Sequence, residues 1–121
     1  MQLHLALNPH GFYNARMSTV LHTLETTIAA RKAATKESSY TAALLHKGAD
    51  HIAKKLVEEA AECAMASAKN DLANLTYEAA DVLYHLLVLL AAHNVSLEGV
   101  LMELQRREGV SGLEEKNARK N

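Results

Sequence analysis

Residues 51–69 read HIAKKLVEEAAECAMASAK, residues 72–93 read LANLTYEAADVLYHLLVLLAAH, and Asn70-Asp71 stands between them. Both stretches are rich in Ala and Leu and contain neither Gly nor Pro, which is the composition of a helix interior. Asn and Asp favour turns. The pattern predicts two long helices, about His51 to Lys69 and Leu72 to His93, joined by a tight turn. Helices so joined pack antiparallel.

The signals on either side extend the same reading. Upstream, Val20, Leu21, Leu24 and Ile28 form an apolar stripe that predicts a helix over about Thr19 to Ala34. The polar run 35–39 breaks it. Ser38 or Ser39 is placed to cap a short helix, Tyr40 to Lys47, that Gly48 ends. Asp50 is the expected cap of the first long helix. Downstream, Asn94 stops the second long helix, Ser96 caps a further one from Leu97 to Arg107, and Gly109 closes it. The tail from Val110 is short and charged.

Across all 121 residues, 21 Ala and 19 Leu stand against one Pro and five Gly. That bias argues for an all-α fold, a bundle of four to five helices. With aromatics at 4% and no Trp, one copy has few large side chains for a core. Such a chain is expected to complete its bundle as a homodimer or higher homo-oligomer. The run from Leu86 to Ala92 is apolar all round, which calls for burial from several sides. Net charge is −1, so no basic field favours nucleic acid. A single cysteine, Cys63, rules out an internal disulfide and a Cys-based zinc site. It fits a reducing compartment. No apolar run approaches the length of a membrane span, and the N-terminus lacks the pattern of a signal peptide, so the expected location is the cytoplasm with no membrane partner.

Residues 1–16 differ from the rest, holding the only Pro, Pro9, and the only Phe, Phe12. They read as a leader or mobile extension, or else as an arm packed on a partner chain. The working domain is then 17–121.

The two long helices carry acids where apolar residues are expected. Glu58, Glu59 and Glu62 lie on the first, Glu78 and Asp81 on the second. At about 100° per residue, Ile52, Leu56 and Cys63 share the side of Glu59, and Leu75, Val82 and Leu89 share that of Glu78. Each helix therefore aims a carboxylate toward its partner. Two unit charges about 4 Å apart repel by about 4 kcal/mol at an effective dielectric of 20. Converging carboxylates thus need a cation or large pKa shifts. An all-oxygen donor set selects a hard dication, Mg²⁺ or Mn²⁺. The plainer alternative is a solvated acidic face in which Lys54 and Lys55 pair with Glu58 and Glu59.

At these residues the chain resembles a known pattern. EExxE followed by ExxD on the next helix is the signature of the MazG-type all-α nucleotide pyrophosphatases, which are Mg²⁺-dependent. Residues 37–48, ESSYTAALLHKG, residues 77–87, YEAADVLYHLL, and residues 109–116, GVSGLEEK, narrow the likeness to the phosphoribosyl-ATP pyrophosphohydrolase family. That family often has Gly where this chain has Val57, a position on the far side of the helix from Glu59.

The resemblance implies that Glu59, Glu62, Glu78 and Asp81 are Mg²⁺ ligands and that Glu58 is an accessory acid or the base for water. It implies hydrolysis of phosphoribosyl-ATP to phosphoribosyl-AMP and pyrophosphate, the second step of histidine biosynthesis. The anionic substrate would need positive groups. Arg31, Lys47 and Lys55 are the candidates singled out, with Ser39 and Thr41 as hydroxyl donors, Tyr40 as a surface for a base, and His85 as a group orienting a carboxylate or touching substrate. Tyr84 reads as packing. The alternatives are a house-cleaning nucleoside triphosphate pyrophosphatase and a noncatalytic dimerisation module.

Overall fold

The computed structural model of the chain describes residues 9–108, 110 and 112–120. Among these residues there are six helices and no strands: α1 Pro9–Arg31, α2 Tyr40–Lys47, α3 Ala49–Ala68, α4 Leu72–Ala92, α5 Leu97–Arg106 and α6 Gly112–Lys120. The all-α expectation holds.

The helix ends follow the local chemistry. Ser39 caps α2 by accepting from the Ala42 N–H, Asp71 caps α4 through Asn74, and Ser96 caps α5 through Gly99. Asn70 and Asn94 hold φ of 55° and 57°, so Asn supplies the left-handed residue at both turns. Glu25 on α1 adds a second tie at the start of α5, where the Leu97 N–H donates to its Oε2 at 2.6 Å.

Several boundaries differ from expectation. α1 begins at Pro9 rather than Thr19, since Pro is well suited to a first helical turn and nothing from 10 to 18 but Gly11 opposes a helix. Residues 1–8 of the expected extension lie outside the described residues, as does the stop at Gly109. Asp50 is not the cap of α3. Gly48 takes that place, at φ 96°, with no side-chain bond, and Asp50 lies in the first turn. The charged tail is helical as α6, with Glu in its first half and Lys and Arg in its second, in line with the helix dipole.

Among the described residues the α3–α4 hairpin is the most extensive packing, and α1 and α2 lie against it. Ile28, Leu44, Ile52, Leu87, Val88 and Leu97 form the core. Val20, expected on the apolar stripe of α1, is exposed. It sits about 80° from the buried Ile28, whereas Leu21 lies about 20° from it. By length and composition α4 would pass for a membrane span. Its Glu78 and His85 are buried within the protein, and it packs against α1, α2 and α3, so it is the central helix of the bundle.

Candidate active site

Three carboxylates meet across the hairpin. Glu59 of α3 and Glu78 and Asp81 of α4 each bring an oxygen within 4.8 Å of the others. Glu59 and Glu78 are both 8% exposed. They are buried because each lies on the face its helix presents to the other, beside Ile52 on α3 and four residues before the partly buried Val82 on α4.

The arrangement is electrostatically unfinished. Glu78 Oε2 is buried and has no hydrogen-bond partner. Burial, with Glu59 and Glu62 close by, pushes the Glu78 carboxyl up to about 7. An orphaned buried oxygen beside two further carboxylates, with no sulfur or imidazole in the set, fits a hard dication.

Lys55 supplies a countercharge. Its Nζ lies 3.3 Å from Glu58 Oε2 and 3.6 Å from Glu59 Oε1. Its pKa is raised, chiefly by the bond to Glu58, so it stays charged. The expected alternative of Lys–Glu pairing is thus real for Lys55, but it leaves Glu78 Oε2 without a partner. Glu58 is exposed at the edge of the site. Glu62 is exposed and lies outside the 4.8 Å group, although it is near enough to Glu78 to raise its pKa.

A second cluster abuts the first. His85 lies one turn beyond Asp81 and is 4% exposed. Its Nδ1 is 2.8 Å from the Asp81 main-chain oxygen, and its Nε2 is 3.4 Å from the Tyr40 hydroxyl. Tyr84 stacks on Tyr40 with centroids 6.3 Å apart and meets His85 edge-on at 5.1 Å. The Tyr84 hydroxyl bonds Thr41 Oγ1, and burial raises its pKa. Tyr84 therefore does pack, as expected, but against the aromatic group beside the carboxylates. The sequence signal that bears on this is Tyr84-His85 directly following the acidic turn of α4.

Of the other expected substrate groups, Thr41 joins this aromatic cluster through Tyr84, while Ser39 is occupied as the α2 cap. Lys47 lies at the end of α2 away from Tyr40, roughly 10 Å along the axis. Arg31 adjoins Lys32, whose Nζ donates to Asn94 Oδ1 at 2.7 Å. That end of α4 lies roughly 16 Å of helix rise beyond Asp81. Lys32, His46, Gly48, Ala92 and Asn94 share a separate open cavity of about 410 Å³.

The sequence profile described as phosphoribosyl-ATP pyrophosphohydrolase matches residues 21–108, which include every carboxylate of the site. The chain belongs to this family. It is 58% identical to the phosphoribosyl-ATP pyrophosphatase of Rhodobacter capsulatus over 101 residues, 84% of this chain and 98% of the relative. It is also 58% identical to the enzyme of that name from Dinoroseobacter shibae, covering 84% and 99% of the two chains. For the Neisseria gonorrhoeae protein of the same name the identity is 50%, over 84% and 94%. The phosphoribosyl-ATP pyrophosphohydrolase match thus spans the α3–α4 hairpin, α2, and the part of α1 that packs on them.

Proposed function

We propose that this chain is a phosphoribosyl-ATP pyrophosphatase, which hydrolyses phosphoribosyl-ATP to phosphoribosyl-AMP and pyrophosphate in histidine biosynthesis. The observation that carries the site assignment is the convergence of Glu59, Glu78 and Asp81, with the buried Glu78 Oε2 left without a partner, in a chain of this family.

Glu59, Glu78 and Asp81 are the residues to hold Mg²⁺, with Mn²⁺ as a substitute, and Glu62 joins from the rim. When bound, the ion neutralises triphosphate oxygens and orients the linkage to be cut. The chain's own groups do the rest. Lys55, already between Glu58 and Glu59, presents a positive charge where the polyphosphate arrives. Glu58 stands at the solvent edge and is the acceptor for the proton of the attacking water. Burial of Glu59 and Glu78 keeps their carboxylates fixed before substrate binds.

The working unit in this reading is a homodimer, in the cytoplasm. Leu72, Tyr77 and Leu83 on α4, and Leu101, Met102 and Leu104 on α5, are exposed in the single chain. Covering them is the service a second copy provides. Light scattering should give a mass about twice that of the 13.2 kDa chain.

The deciding experiment is pyrophosphate release from phosphoribosyl-ATP with and without Mg²⁺, alongside a panel of nucleoside triphosphates. Turnover of phosphoribosyl-ATP well above the panel, and lost on chelation, supports the reading. Equal turnover of the panel points to a house-cleaning enzyme, and no turnover to a noncatalytic module.

A further inference from the structure

Tyr40 is the first residue of α2, fixed in place by the Ser39 cap, yet its side is 56% exposed. A large ring at a well-anchored position ordinarily turns inward. Here one face rests on Tyr84, with planes 22° apart, and the hydroxyl reaches His85.

His85 has a single consistent tautomer in this setting. A main-chain oxygen can only accept, so Nδ1 carries the proton toward Asp81 and Nε2 presents a lone pair. The Tyr40 hydroxyl then donates to Nε2. The ring is held from behind by Tyr84 and at its tip by His85. Through His85, Tyr40 is tied to the turn of α4 that carries Asp81.

We propose that Tyr40 is the stacking platform for the purine ring of the substrate, and that His85 is a positioning residue that fixes the platform relative to the Asp81 helix. This rests on the pyrophosphatase reading and adds where the base lies and what holds its support. A flat aromatic face backed by a second ring accepts a nucleobase through stacking, which depends little on hydrogen-bond pattern.

The test compares binding of ATP and of inorganic tripolyphosphate, both with Mg²⁺, by calorimetry on the full chain. The wild type should prefer ATP by about tenfold or more, the scale of one base–aromatic stack. Tyr40→Leu should abolish that preference while leaving tripolyphosphate affinity unchanged. Tyr40→Phe and His85→Leu should each reduce the preference a few-fold, and the double variant should be no worse than either, because both break one bond. His85→Gln, which offers an acceptor, should restore it. Bound ATP should show upfield-shifted adenine protons in the wild type and not in Tyr40→Leu.

A preference that survives Tyr40→Leu, or no preference in the wild type, overturns the platform. Should His85→Leu fail to fold, an unchanged preference in Tyr40→Phe overturns the positioning role. Loss of phosphoribosyl-ATP turnover in the wild type, with the Tyr40-dependent preference intact, would instead sink the pyrophosphatase reading alone.

Discussion

Lys55 Nζ stands 3.6 Å from Glu59 Oε1, one turn back along the same helix. Its charge competes with any cation for Glu59. Replacing Lys55 by Met removes that competitor, so metal alone should bind up to about tenfold more tightly, by calorimetry with Mn²⁺. The pair is partly exposed, and its loss should cost stability only about 0.5 kcal/mol. Turnover should fall nonetheless, because the polyphosphate loses its positive neighbour.

Glu59→Gln and Asp81→Asn should each lower pyrophosphate release by about 10²- to 10³-fold, the usual cost of one preorganised charged group. Without metal, both variants should melt at or above the wild-type temperature, since like charges are removed from a confined space. A drop in melting temperature together with lost activity would mean the acids are structural.

Glu78 sets a pH dependence. Its folded pKa is about 7 against an ordinary 4.5. The folded protein therefore holds this proton over a window in which the unfolded chain has released it, and stability falls as pH rises from about 4.5 to 7. Metal-free protein should melt at a higher temperature at pH 5 than at pH 8, after correction by Glu78→Gln, which should lack this component. Added Mg²⁺ should reverse the trend, because the ion requires the deprotonated carboxylate. Equal pH profiles for wild type and Glu78→Gln would refute this.

The core gives a separate prediction. Ile52 is fully buried on the same side of α3 as Glu59. Ile52→Ala should cost about 2–5 kcal/mol in chemical denaturation. Gly48→Ala should also destabilise, by about 1–2 kcal/mol, because φ 96° is a conformation that L-residues resist. Space is not the cause there, since an added Cβ would meet nothing within 4 Å.

The hairpin was legible because its evidence is local. Helix formers, a two-residue turn and acids on the apolar stripe all lie within residues 51–93, and three of the four expected ligands do meet. Glu62, three residues along from Glu59, is exposed at the rim, yet near enough to Glu78 to raise its pKa. Lys47 and Arg31 could not be placed from spacing alone, because their distance from the site depends on how α1 and α2 lie against the hairpin. The start of α1 was missed for another reason. A Pro-His-Gly sequence reads equally as a turn or as a helix opened by Pro, and tertiary context decides between them.

The Glu59–Glu78–Asp81 centre is drawn from a stretch of only 23 consecutive positions, closed by a single tight turn. Little loop-closure entropy is spent in bringing its parts together. Its geometry is consequently insulated from events at either terminus. Extra sequence joined before α1 or after α6 should leave the centre unchanged.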